Sequence, residues 1–97
     1  MSEIEATVDR ISKHPGVEGI MVLHPDGTAL KTTFDNENTT KYSKLILPFA
    51  QLSTTSIRDI DPKNELTFAK INSVDWEIII IPSEVYYVIA FIKNAKK

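Results

Sequence analysis

Three blocks of this chain are apolar at consecutive positions instead of alternate ones: Ile20-Met21-Val22-Leu23, Ile78-Ile79-Ile80-Ile81 and Tyr86-Tyr87-Val88-Ile89-Ala90-Phe91-Ile92. Neighbouring side chains of a strand point to opposite faces, so a block of this kind needs apolar cover on both sides of its sheet. Strands built from these blocks belong in a sheet interior. Edges must come from elsewhere in the chain.

The segments between the blocks supply them. Pro25-Asp26-Gly27 is a hairpin signal, so Thr28 to Phe34 returns antiparallel to a first strand at Val17 to His24, with a weaker apolar pattern suited to an edge. Leu66 to Asn72, Trp76 to Ile81 and Val85 to Ile92 form a meander through the short connections at 72–75 and 82–84. Its first strand, Leu66-Thr67-Phe68-Ala69-Lys70-Ile71-Asn72, is an edge guarded only by Lys70.

Helical spacing appears twice. Ser2-Glu3-Ile4-Glu5 fits a capping box, Ile4, Val8 and Ile11 recur on one face, and Pro15-Gly16 ends the segment. From Asn36 to Arg58, Tyr42, Leu45, Ile46, Phe49, Leu52 and Ile57 keep helical spacing, with Asp35, Asn36 or Asn38 as the cap. Pro48 lies inside this helix, where it removes a hydrogen bond and opposes the Lys44 carbonyl at a cost of roughly 3 kcal/mol, so the helix kinks or begins afresh there. Pro62 then disfavours helix at Asp61, and Leu66 opens the next strand. The expected order is αββαβββ, an α+β fold with a five-stranded antiparallel sheet and two helices, in one domain over residues 1–97.

Composition narrows the function classes. A chain of 97 residues without cysteine has a small core and no disulfides or thiolate metal sites, so oligomerisation is a plausible source of stability. A net charge of -2 and a pI near 5.6 give no footprint for a nucleic-acid backbone. No apolar run approaches the roughly 20 residues of a membrane span, and no signal-like segment opens the chain, so the expected compartment is the cytosol, without direct membrane insertion. Asn38-Thr39-Thr40 matches a glycosylation acceptor, a pattern common by chance.

Chemistry-bearing residues do not assemble into a site. His14 and His24 lack neighbouring ligands, and Asp59, Asp61, Asn64 and Glu65 miss calcium-loop spacing, so capping and turn formation is the better reading, with Arg58 as an ion-pair partner. Ser53-Thr54-Thr55-Ser56 has no adjacent base and reads as a solvated or closely packed helix face. Glycine at 16, 19 and 27 cannot form a phosphate loop. Tyr86 and Tyr87 lie on opposite faces of the last strand, while Trp76 suits an interface anchor or a shield for the sheet. No enzyme activity and no cofactor are expected.

Three ordered motifs bear a family resemblance. Arg58-Asp59-Ile60-Asp61-Pro62-Lys63-Asn64-Glu65-Leu66-Thr67-Phe68, Gly16-Val17-Glu18-Gly19-Ile20-Met21-Val22 and the run from Asp26 to Asn36 resemble roadblock-type dynein light chains across nearly the whole chain. The resemblance implies a roadblock/profilin-like fold and an edge-paired dimer, with long helices antiparallel across a twofold axis and third strands joined in one continuous sheet. Carried over, the interface comprises Tyr42, Leu45, Ile46, Phe49, Leu52, Ser53 and Ser56 of the helix and Leu66, Thr67, Phe68, Ala69, Lys70 and Ile71 of the strand. Pro48 and the absence of basic residues at 51–56 depart from the family pattern. The implied role is a non-catalytic homodimeric light chain that binds the dynein intermediate chain in microtubule-based transport. Its place would be the cytoplasm and cytoskeleton, or a cilium or flagellum. Related roadblock proteins scaffold or regulate small GTPases, which is the alternative role.

Overall fold

The three doubly apolar blocks become neighbouring strands. A computed structural model describes residues 2–83 and 85–93, with backbone alone at residues 2–4 and 7. Its elements are α1 (Ser2–Ser12), β1 (Val17–Leu23), β2 (Ala29–Thr32), α2 (Asn36–Ile60), β3 (Ala69–Asn72), β4 (Trp76–Pro82) and β5 (Tyr87–Lys93). The antiparallel sheet runs β2-β1-β5-β4-β3, so β1, β5 and β4 are interior and β2 and β3 are edges, as the sequence pattern required. The capping box at Ser2 and the inward place of Ile4 lie outside the described side chains, and Glu84 outside the described residues.

Alternation along β1 divides the core between two faces. Ile20 and Val22 join Tyr86 and Val88 beneath Val8 of α1. Met21 and Leu23 join Ile80, Ile89 and Phe91 beneath Ala50 of α2, with Tyr42, Ile46 and Leu47 packed alongside. Tyr86 and Tyr87 divide in the same way, one into each layer.

The β1–β2 turn follows its sequence signal. The His24 amide donates to the Thr28 carbonyl at 2.8 Å, the Gly27 amide donates to His24 at 2.8 Å, and Gly27 adopts φ 101°. The Asp26 carboxylate accepts from the Thr28 amide at 2.8 Å; Thr28, and then His24, hold this carboxyl below its ordinary pKa. β2 is shorter than the expected 28–34. At its end Thr33 bonds twice to Ile20, through its amide and its hydroxyl, while Phe34 turns its ring onto Gly19.

That ring fixes the start of α2. Phe34 meets Tyr42 and Phe91 edge-on, each at a centroid distance of 5.1 Å, and any Cβ on Gly19 would stand inside the ring's van der Waals envelope. Of the three candidate caps, Asp35 takes the role, accepting from the Asn38 amide at 2.8 Å. α2 continues unbroken through Pro48, so no new helix begins there. The missing hydrogen bond is offset by packing on either side: Ile46 and Leu47 before the proline and fully buried Ala50 after it hold both halves against the sheet. The helix passes the expected end at Arg58 and is capped by Asp61, whose amide donates to Ile57 at 3.0 Å.

β3 is also shorter than expected: Leu66, Thr67 and Phe68 stand outside it. The register that pairs Ala69 with Ile80 carries Thr67 to Pro82. The bond from the Ser73 amide to the Trp76 carbonyl sets the ladder's phase, so an amide at position 82 would point at Thr67. Proline has none, and the ladder stops. β5 likewise begins at Tyr87, not Val85, after the turn bond from Ser83 to Tyr86.

Gly19→Ala forces Phe34 off its seat. We expect a loss of about 1–3 kcal/mol in urea unfolding, as for other overpacked cores, together with a changed near-ultraviolet dichroism signal from the aromatic cluster. Unaltered stability would show that Phe34 does not depend on this contact.

Candidate interaction surfaces

α2 is apolar on two faces. Its inner face carries Tyr42, Ile46, Leu47 and Ala50 against the sheet. Its outer face presents Leu45, Phe49, Leu52 and Ile60 to water, with Leu45 65%, Leu52 64% and Ile60 81% exposed. The spacing of 45, 49, 52, 56 and 60 makes one continuous stripe, interrupted only by Ser56. A stripe of large exposed apolar side chains on a short chain marks an interaction surface.

The sequence-derived interface residues therefore separate. Leu45, Phe49, Leu52 and Ser56 face outward, whereas Tyr42 and Ile46 belong to the core and Ser53 is half-buried. Ile60 was absent from the expected set because the helix was expected to end at Arg58; its place at i+8 from Leu52 was the available signal. Along the strand, Ala69 and Ile71 are half-buried on the α2 side. Lys70 lies on the opposite face, its ammonium 2.9 Å from Glu77. Thr67 and Phe68 are exposed, and Leu66 lines a cleft with Arg58, Thr54 and Tyr87. Beside the stripe, half-exposed Trp76 borders a groove of about 360 Å³ shared with Phe34, Tyr42 and Leu45.

A second apolar surface lies on the α1 side. The sequence called for cover on both faces of Ile78 to Ile81, yet only Ile80 is fully buried. α1 is an 11-residue helix whose main contact is with β1. Ile79 and Ile81 remain half-exposed in a groove of about 470 Å³ bordered by Ile11, His14, Val17 and Ile92.

The polar residues serve the fold. Asp61 accepts from the Lys63 amide at 3.1 Å and from the Asn64 side chain at 3.1 Å, which makes it a turn former; Asp59 makes no such bond among the described residues. Arg58 has no ion pair among the described residues. The Thr54 and Thr55 hydroxyls donate to the carbonyls of Ala50 and Gln51, one turn earlier. His24 accepts from the Asp26 amide in the hairpin turn, far along the chain from His14. Among the described residues no three His, Asp or Glu side chains converge as metal ligands, and no helix is long and apolar enough to cross a membrane.

Comparison with known proteins gives a consistent answer. The family model of the Roadblock/LC7 domain matches residues 3–93. A Roadblock/LC7 domain from Streptomyces avermitilis superposes with a TM-score of 0.79 at 8% identity, over 93% of this chain and 75% of that one. MglB from Myxococcus xanthus gives 0.78 at 13% identity, over 100% and 80%. The gliding protein MglB from Thermus thermophilus gives 0.73 at 9% identity, over 94% and 72%. At these identities the likeness is one of fold.

The two faces of α2 should respond differently to substitution. At a dilution where the chain is monomeric, Leu45→Gln and Leu52→Gln should each shift stability by less than about 0.5 kcal/mol, whereas Ile80→Ala should cost about 2–5 kcal/mol. Equal losses at Leu52 and Ile80 in denaturant titrations would contradict an outward stripe.

Proposed function

The chain belongs to the Roadblock/LC7 domain family, and from that premise we propose that it is a non-catalytic, self-associating adaptor that scaffolds or regulates a small GTPase. One observation carries the self-association: α2 has a second, exposed apolar face, and β3 ends the sheet as an edge strand among the described residues. Two copies related by a twofold axis bring stripe against stripe and β3 against β3. Full burial of a Leu, Ile or Phe side chain contributes about 1.5–3 kcal/mol, against an association cost of about 4–15 kcal/mol, so both copies' stripes are needed. The tetrameric arrangement of one MglB structure, similar in fold to this chain at a TM-score of 0.73, supports association between copies.

The choice of partner rests on the company the chain keeps. Roadblock proteins include small-GTPase scaffolds, and the solved relatives reported above are bacterial MglB proteins and a Streptomyces domain, not dynein light chains. A second reading rests on a different observation. The joint from Arg58 to Phe68 resembles that of dynein light chains and favours an intermediate-chain segment as the partner. In both readings the partner buries apolar residues on a surface present twice in the dimer, and the groove beside Ile79 and Ile81 is left open for it. Both readings have the protein act in the cytoplasm.

Light scattering tests the association: the native chain should have a dimer mass at micromolar concentration and Phe49→Glu a monomer mass, with the same far-ultraviolet dichroism. A monomeric native chain would remove this reading. Partner class is read by titrating the dimer with candidate GTPases of its own organism and following GTP hydrolysis, and in parallel with an intermediate-chain fragment at physiological salt. Unchanged hydrolysis without binding would sink the GTPase reading; absence of association with the fragment would sink the second.

A further inference from the structure

We propose that the cleft between α2, the β1–β2 turn and the β4–β5 turn binds a peptide segment of a partner protein, one that sets a carboxylate on Arg58 and, within a few residues, an ammonium or guanidinium on Glu65. The proposal rests on the adaptor reading above for its occupant and adds the chemistry by which that occupant is recognised.

The cleft has a volume of about 600 Å³. Three parts of the chain meet around it: Pro25 follows β1, Pro82 and Ser83 close β4, and α2 brings Thr54 and Arg58, with Glu65 and Leu66 in the connection that follows it. Each wall is fixed by its own hydrogen bonds. Gln51 donates to the Pro25 carbonyl at 2.9 Å, the Ser83 amide donates to the Tyr86 carbonyl at 2.8 Å, and the Asn64 amide donates to the Asp61 carbonyl at 2.9 Å. None of these bonds engages the side chain of Arg58 or Glu65, so both charges are available while the walls stay in place. A site whose loops are already ordered avoids that cost on binding.

The two charges define the ligand. Arg58 and Glu65 have opposite signs and line the same cleft, yet they form no ion pair with each other or with any other group among the described residues. A lone anion drawn to the Arg58 fork would also meet the repulsion of Glu65, and a lone cation would meet the converse. A segment that carries both signs satisfies both, with the carboxylate accepting from the guanidinium.

The placement of the lining residues favours a chain over an enclosed small molecule. Arg58 and Glu65 are exposed at the rim, whereas Leu66, Pro82 and Tyr87 are half-buried and supply an apolar floor. Small-molecule pockets bury most of their ligand and fix it with a few interior polar groups. Here the charged contacts are at the mouth, where a segment can enter on one side and leave on the other, laying its stems and backbone on the floor.

Capped tripeptides serve as probes: acetyl-Glu-Ala-Lys-amide and acetyl-Lys-Ala-Glu-amide, with acetyl-Glu-Ala-Gln-amide and acetyl-Gln-Ala-Gln-amide for comparison. Each is titrated into the isotope-labelled full-length chain and followed by amide nuclear magnetic resonance. At least one peptide carrying both charges should shift the amides of Thr54, Ser83 and Tyr87 saturably, more tightly than the anionic peptide, and the neutral one should leave them unmoved. Arg58→Gln and Glu65→Gln, both at exposed positions, should keep the native far-ultraviolet dichroism and each weaken that binding about three- to tenfold. No saturable shift with either doubly charged peptide, equal binding of the anionic or neutral peptide, or a loss confined to one variant overturns the proposal and leaves the adaptor reading standing. Saturable binding of the doubly charged peptide by a chain of monomeric mass would remove the self-association and keep the cleft.

Discussion

A sheet with interior strands that are apolar on both faces has to be covered twice, and this chain has only 11 residues in α1 and 25 in α2 to do it. Many of the other features follow from that shortage. α2 is long enough to cover β1, β4 and β5 on one side, and Ile80, Ile89 and Phe91 disappear beneath it. α1 covers chiefly β1 and the near side of β5, and Ile79 and Ile81 stay only half-buried beside an open groove. The outer stripe of α2 is a separate matter: Leu45, Leu52 and Ile60 stay mostly exposed, a surplus of apolar surface of the kind that marks interaction sites. One surface expresses a deficit of the fold and the other a surplus.

The position of α2 depends on a small contact at its start. Gly19 lacks a side chain, Phe34 takes the space, and Tyr42 and Phe91 close around the ring. Farther along, Gln51 donates to the Pro25 carbonyl at 2.9 Å and ties the middle of the helix to the hairpin tip. With its start and middle fixed, α2 tolerates Pro48 as a local loss of one hydrogen bond and still presents Leu45 and Ile60 on a single stripe. A helix held by tertiary contacts needs less from its own ladder.

Strand order was legible because consecutive apolar residues can satisfy only interior strands, and the Asp26-Gly27 turn placed β2 beside β1. Helical spacing picked out most of the exposed stripe of α2, Leu45, Phe49 and Leu52. Spacing alone did not separate the two apolar faces of α2: Tyr42 and Ile46 share the period of Leu45 and Phe49, and only the packed aromatic cluster shows which pair points inward. The length of β3 was hidden for another reason. The residues that end it, 66–68, have good strand propensity, and the cause lies at Pro82, a distant position whose relevance depends on register. Ile60 was missed because the helix runs to the residue before its Asp61 cap, two positions beyond the expected boundary.

The central ladder joins β1 to β5, pairing Val17 with Ile92 and Leu23 with Tyr87. The first strand made during synthesis therefore waits for the last. Through that interval Ile20, Met21, Val22 and Leu23 have only β2 as a ladder partner, and both of their faces are apolar. β3, β4 and β5 are local in sequence and can assemble in order, but β1 closes the sheet across most of the chain's length, a long-range step that slows folding. The nascent protein thus holds a strand that is apolar on both faces without its central ladder partner until the last strand is made, an interval in which chaperone dependence would be concentrated.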